Sequence, residues 1–166
     1  MAGSIKFGSA VFGSLLLASH AWVATSDGPS PGPLAVVVHR SSKVTNISLS
    51  DLRKIFTGDL RVWPDSSPVF VIEQPSENLS QRRSLQLLLR ITPAIYNRQL
   101  LQAHFQGKPL PEMKVLNSDT SAINFVFNVP GAISIVDSAV AALNQSQIRL
   151  LRVDGKLPSE KGYPLQ

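Results

Sequence analysis

The sequence predicts an α/β fold in which a largely parallel sheet of about five strands carries helices on both faces. Two observations lead to this class. Short runs of β-branched and other apolar residues recur without polar alternation, as is typical of strands buried on both faces. Between these runs lie longer segments whose apolar residues repeat at helical spacing, and strands that alternate with helices favour parallel pairing.

The first strand and the first helix have the clearest signals. Leu34–His39 is a continuous apolar run and is predicted to be a buried strand. Ser48 is a candidate N-cap, with Asp51 three residues later in a variant of the capping box. Gly58 is the expected C-terminal stop of this helix. Its apolar face consists of Leu49, Leu52, Ile55 and Phe56.

The middle of the chain predicts a second strand and two consecutive helices. Val69–Ile72 is a short buried strand, and a helix follows over about Leu79–Ile91. Thr92 then caps another helix, with Pro93 at its first position, and Gly107 ends it. The apolar positions expected to form the packing face of this helix are Ile95, Leu101 and Phe105.

The last third of the chain continues the alternation of strands and helices. Ser118 and Asp119 are expected to cap a helix that carries Ile123, Val126 and Phe127 and is stopped by Pro130-Gly131. The strands and the short helix predicted around it are a weak strand at Lys114–Leu116, a strand at Ala132–Val136, a helix at Ser138–Leu143 and a final strand at Ile148–Val153.

Length and composition limit the classes of protein and of chemistry. The chain has 166 residues, room for one domain, and 43% of them are hydrophobic, which argues against a disordered chain. It has no cysteine, which excludes disulfides, thiolate nucleophiles and cysteine-ligated metal centres. The net charge of +5 is a mild bias toward anions. No block of like charges occurs, so we expect no nucleic-acid partner.

The N-terminal segment has the pattern of a secretory signal. Lys6 precedes the apolar and small-residue run Phe7–Ala18, and Ser19-His20-Ala21 has small residues where signal peptidase reads them. We expect cleavage after Ala21, with Ala24 as the other site. The apolar run is shorter than a membrane-spanning helix normally requires. An uncleaved N-terminal anchor is the alternative.

Cleavage at this site divides the chain into three segments. They are a signal peptide over residues 1–21, a Pro/Gly-rich linker over 22–33 and a single domain over 34–166. An exported protein without cysteine fits a bacterial periplasm better than a disulfide-built secretion product. The expected location is therefore periplasmic or secreted, with no membrane span after cleavage.

Few residues have the spacing that enzyme chemistry requires. His39 ends a strand and His104 lies on a helix, and neither has a metal-ligand or catalytic partner at a recognisable spacing. Glu73 and Glu77 flank the end of the second strand, and surface charge is their default interpretation. We therefore expect no enzyme activity, no catalytic residue, no metal site and no cofactor.

Four stretches carry a resemblance to a known family. They are Leu34–Asp65 with its Leu-x-x-Ile-Phe-x-Gly helix and following Trp, Phe105–Pro111, Pro130–Ile133, and the tail Val153–Pro164. Taken in order, they resemble phosphate-type periplasmic substrate-binding proteins. The resemblance implies a type II periplasmic-binding fold, reduced here to a single lobe. It also implies an exported solute-binding-type protein similar to the substrate-binding proteins of phosphate ABC transporters.

The stretch after the second strand departs from this family. The family's anion motif resembles Arg-x-Asp-x-Ser-Gly-Thr, and Glu73–Leu79 matches it at no position. A different anion pocket at the start of the next helix is one interpretation, and simple helix capping with solvated arginines is the other. The candidate ligand-binding residues are Ser76, Asn78, Ser80, Arg82 and Arg83, with His39 and Ser41 from a neighbouring strand end.

Two functions therefore remain open at the level of sequence. The first is a solute-binding-type protein with weak affinity for phosphate or another oxyanion. The second is a periplasmic protein-interaction module that keeps the fold without the ligand, with a separate protein or a second copy as its partner. The chemistry of the loop Glu73–Arg83 distinguishes them, because intact anion donors favour the first function and their loss favours the second.

Overall fold

The computed structural model describes residues 31–166. The predicted signal peptide, residues 1–21, and most of the predicted linker, residues 22–33, lie outside the described residues. Within residues 31–166 no helix has both the length and the apolar character needed to cross a membrane.

Strands and helices alternate along the described chain much as the sequence predicts. The elements are β1 (Leu34–His39), β2 (Asn46–Ile47), α1 (Leu49–Thr57), β3 (Phe70–Glu73), α2 (Leu79–Leu89), α3 (Pro93–Phe105), β4 (Glu112–Val115), α4 (Asp119–Asn128), β5 (Ala132–Asp137), α5 (Ser138–Leu143) and β6 (Ile148–Val153). The one unpredicted strand, β2, has only two residues, too few for a periodic signal.

The strands form one six-stranded sheet in the order β2-β6-β1-β5-β3-β4. β3 pairs in parallel with β4 and β5, and β2 pairs in parallel with β6. β1 is antiparallel to both of its neighbours, β5 and β6. The prediction of a mostly parallel sheet is therefore confirmed, with β1 running against the other strands. The carboxyl end of β1 consequently lies at the opposite edge of the sheet from those of β3 and β5.

Helices cover both faces of this sheet, and each face has its own apolar core. Alternate residues of β1 divide between them: Leu34, Val36 and Val38 face one core, and Ala35 and Val37 the other. The buried residues of α1 and Leu88 of α2 pack in the first core. The second core receives Ala122, Ile123 and Val126 from α4 and Ala141 from α5.

The predicted helix caps are confirmed by hydrogen bonds. The Ser48 hydroxyl accepts from the backbone N–H of Asp51 at 2.9 Å, and Thr92 accepts from that of Ile95 at 3.4 Å. Gly58 ends α1 at a φ of 84°, and a Cβ there would lie 2.7 Å from the backbone nitrogen of Pro111. Only glycine meets both the positive φ and this close approach without strain.

The packing face expected for α3 is wrong. Tyr96 is the residue of α3 that is fully buried, whereas Leu101 is 56% exposed and Phe105 is 80% exposed. The helix lies beside α2 and anchors itself through one aromatic side chain near its start. Helical spacing of apolar residues identifies a face, but it does not show whether another element covers that face.

Candidate functional site

The candidate site lies where the carboxyl ends of β3 and β5 meet the N-termini of α2 and α4. β3 ends at Glu73 and β5 at Asp137, while Asn78 and Ser118 cap the two helices. Parallel strands that are neighbours bring their carboxyl ends to one edge of the sheet, which is where α/β proteins bind ligands. Backbone N–H groups at a helix start are suited to an anion if they remain free.

The first backbone N–H groups of α2 already donate to a side chain. The Asn78 amide oxygen accepts from the backbone N–H of Ser80 at 2.8 Å and from that of Gln81 at 3.4 Å. Asn78 is thus the helix cap, as one of the two interpretations of the sequence proposed. The Ser76 hydroxyl accepts from the Asn97 side-chain amide at 3.4 Å. An incoming anion would have to displace Asn78 to reach the N–H groups of Ser80 and Gln81.

A carboxylate from α4 occupies the centre of this edge. Asp119 Oδ2 accepts from the Ser80 hydroxyl at 2.8 Å and from the backbone N–H of Asp137 at 3.1 Å. Its Oδ1 accepts from Gln74 Nε2 at 3.0 Å. One side chain therefore joins the end of β3, the start of α2 and the end of β5. Ser80 uses its hydroxyl hydrogen in this contact.

Glu73 is buried beneath the site, contrary to its default interpretation as surface charge. Its side chain is 4% exposed, and its Oε1 lies 2.8 Å from the Tyr96 hydroxyl. Burial raises the pKa of Glu73 from 4.5 to about 7, against the opposing effect of hydrogen bonds from Tyr96 and Gln81. Burial, and then the nearby Glu73 carboxyl, raise the pKa of the Tyr96 hydroxyl.

Glu73 and Gln74 direct their side chains to opposite faces of the sheet. Successive side chains of a strand point to opposite faces. Glu73 accordingly reaches Tyr96 of α3, while Gln74 reaches Asp119 of α4. The carboxylate that meets an anion at this edge is therefore Asp119.

The hydrogens around Tyr96 favour a protonated Glu73. The Tyr96 hydroxyl lies 3.0 Å from the Phe56 carbonyl oxygen as well as 2.8 Å from the Glu73 carboxyl. One hydroxyl hydrogen can be donated fully to only one of these two oxygens. If Tyr96 donates to Phe56, a protonated Glu73 donates to Tyr96 and both contacts are satisfied. The chain of bonds joins β3, α3 and the end of α1.

The two arginines of α2 have different surroundings. The Arg83 guanidinium donates to the carbonyl oxygens of Gly32 at 2.7 Å and Pro31 at 3.3 Å, so it holds the start of the described chain. Arg82 is exposed and borders a shallow cleft of about 380 Å³ that it shares with Arg90. Arg82 is thus the arginine of this pair that can receive a ligand without losing a side-chain hydrogen bond to residues 31–166.

His39 and Ser41 do not join the other predicted site residues. Val38 pairs with Ile133 at the start of β5, and His39 pairs with Ile148 at the start of β6. Their side chains bond to each other, with 2.7 Å between His39 Nδ1 and Ser41 Oγ. The prediction that they lie beside Ser76 to Arg83 is wrong because β1 runs antiparallel to the strands that form the site.

Sequence reasoning missed the residues that occupy the site. Asp119 was expected only to cap α4, but Ser118 is the cap, which leaves the Asp119 side chain to bond elsewhere. Gln74 is 3% exposed, and its Oε1 has no hydrogen-bond partner within residues 31–166. A polar residue directly after a buried strand is the available signal for Gln74. In the described part of the chain, no cluster of three or more His, Cys, Asp or Glu side chains could hold a metal ion.

The described chain is similar to solved structures of phosphate-binding proteins. With PstS from Borrelia burgdorferi it shares 20% identity at a TM-score of 0.64, covering 80% of this chain and 53% of that one. With an ABC-type phosphate transport receptor from Vibrio cholerae the identity is 16% and the TM-score 0.64, covering 80% and 52%. With a high-affinity periplasmic phosphate-binding protein, PfluDING, solved with phosphate, the identity is 16% and the TM-score 0.50, covering 75% of this chain and 37% of that one.

These matches confirm the fold that the resemblance implies. The described residues have the fold of phosphate-type periplasmic binding proteins, and the chain spans about half the length of the first two structures it matches. No protein-family model matches the sequence, and a search of curated proteins also finds no match.

Proposed function

We propose that this chain is an exported solute-binding-type protein that holds phosphate or a similar oxyanion weakly. The observation that supports the proposal is the match to phosphate receptors over 80% of this chain. The oxyanion would lie at the outer side of the start of α2, where Arg82 is exposed and Ser76 is half-buried. Export rests on the N-terminal pattern of Lys6, the apolar run and Ala21.

Weak affinity follows from how the polar groups near this site are used. Asn78 already accepts from the N–H groups of α2, and the Ser80 hydroxyl already donates to Asp119. Arg82 is exposed, and an exposed ion pair contributes typically about 0–1 kcal/mol. We expect a dissociation constant on the order of 1 mM or weaker, equivalent to about −4 kcal/mol.

A phosphate titration with simultaneous light scattering tests this function. The expected result is millimolar binding that Arg82→Ala weakens, and the matched control Arg90→Ala tests the other arginine of the same cleft. Light scattering shows whether binding requires a second chain, which would provide the wall that a single lobe lacks. Micromolar binding by a monomer, abolished by Arg82→Ala, would contradict the proposal of a weak site.

A protein-interaction module is the second candidate function, and one surface favours it. Leu101 and Phe105 of α3 and Val115 of β4 are each more than half exposed. Exposed apolar side chains of this size are typical of contact surfaces when they form one patch. In the titration above, this function predicts no phosphate response and a scattering mass that rises with protein concentration or with an added periplasmic partner.

A further inference from the structure

Three donors converge on the Asp119 carboxylate in the arrangement of an anion site. The Ser80 hydroxyl and the Asp137 N–H reach Oδ2 at 2.8 and 3.1 Å, and Gln74 Nε2 reaches Oδ1 at 3.0 Å. They come from the start of one helix and the ends of two strands. Side-chain and backbone donors collected from separate elements around one negative charge are what an oxyanion requires.

Gln74 provides an independent indication that these donors are arranged around a negative charge. Gln74 is 3% exposed, and its Oε1 has no hydrogen-bond partner within residues 31–166. Turning the amide over would place that oxygen against Asp119 Oδ1, where two acceptors would repel each other. The buried amide therefore leaves its oxygen unpaired while its nitrogen donates to the carboxylate, which is unfavourable for the oxygen.

We propose that Asp119 is an internal anion that occupies the oxyanion position of this lobe and excludes free oxyanions from it. The proposal rests on the proposed function, because it concerns the same edge of the sheet. Two negative charges within a few ångströms cannot both remain ionised without a large penalty. Asp119 is thus the residue that determines specificity here, and a free oxyanion is restricted to the outer surface near Arg82.

Removal of the carboxylate should open the position to phosphate. Asp119→Ser leaves the Ser80 hydroxyl, the Asp137 N–H and the Gln74 amide free, so phosphate should bind at least roughly tenfold tighter than to the wild type. The measurement is a phosphate titration monitored by NMR, in which the backbone amide signals of Ser80 and Asp137 should show the largest chemical-shift changes. Asp51→Ser is the matched control, since Asp51 is also in a first helical turn but bonds to Ser48 and Lys54. It should bind phosphate as the wild type does.

The wild-type protein provides a test that requires no variant. At millimolar phosphate the backbone amide signals of Ser80 and Asp137 should stay in place, because Asp119 already accepts from the Ser80 hydroxyl and the Asp137 N–H, and the Ser80 N–H is held by Asn78. If they shift in the wild type, or if folded Asp119→Ser gains no affinity, the internal-anion proposal is overturned. If Asp119→Ser does not fold, Asp119→Asn, which keeps the side-chain volume, should still gain at least roughly threefold, and no gain overturns the proposal.

The same titration separates this inference from the proposed function. Micromolar binding by the wild type with signal changes near Arg82 alone would contradict the weak site and leave the internal anion supported. Millimolar binding by the wild type without any gain in the Asp119 variants would support the weak site and overturn the internal anion.

Discussion

Glu73 connects a single protonation event to the stability of the fold. Its carboxyl is buried against Tyr96 and Gln81, and its pKa lies near 7. The folded chain therefore binds a proton that the unfolded chain has lost above pH 4.5. Stability is highest below that pH and falls as the pH rises to about 7, by on the order of 3 kcal/mol in total.

Replacement of Glu73 should remove this dependence. Glu73→Gln is neutral and can still donate to Tyr96, so its free energy of unfolding should change little between pH 4.5 and 7. Urea unfolding at a series of pH values measures the slope. Glu77→Gln, in an exposed loop position, is the control and should keep the wild-type slope. Equal slopes in the wild type and Glu73→Gln would contradict the assignment.

Helix α1 shows how one element is held by contacts of unequal strength. Phe56 is 2% exposed in the first core, and Arg53 Nε donates to the Leu88 carbonyl near the end of α2 at 2.6 Å. Phe56→Ala should cost roughly 3–5 kcal/mol through lost burial and the cavity that remains. Arg53→Ala should cost about 1 kcal/mol, the usual net contribution of a hydrogen bond.

Thermal and chemical unfolding of these variants test that ranking. Ser50→Ala, on the exposed side of α1, is the control and should stay within about 0.5 kcal/mol of the wild type. A loss in Arg53→Ala as large as in Phe56→Ala would mean that the apolar core is not what holds α1 to the sheet.

α3 is the element whose role differs most from what its apolar residues indicate. Tyr96 joins it to Phe56 and Glu73, while Leu101 and Phe105 face away from the core. The helix is thus held at its start and presents apolar side chains near its end. If the chain binds a protein partner, we expect the partner to contact the C-terminal end of α3.

Processing of the whole chain is open to direct measurement. The N-terminal pattern predicts removal of the segment before Trp22, or before residue 25 if Ala24 marks the site. Mass spectrometry of the protein recovered from the periplasm or medium should show one of these as the first residue. A chain that retains Met1 would contradict cleavage and favour the N-terminal anchor.

The sequence alone determined the features that depend on neighbours within a few residues. Ser48 and Thr92 cap their helices because a hydroxyl needs to reach only the N–H three residues later. Continuous apolar runs such as Leu34–His39 predicted buried strands because both faces of the sheet are covered. Asn78 as a cap belongs to the same class of local contact.

Only the tertiary structure decided which polar groups meet at the candidate site. β1 takes its direction from pairing with β5 and β6, far along the chain, and that direction removes His39 and Ser41 from the site. Glu73 and Asp119 acquire their roles from Tyr96 and Ser80, which are distant in sequence. Such contacts form only when separate elements pack together, so the spacing of residues within one segment does not predict them. A carboxylate that looks like surface charge in the sequence can therefore become a buried acid or an internal anion in the fold.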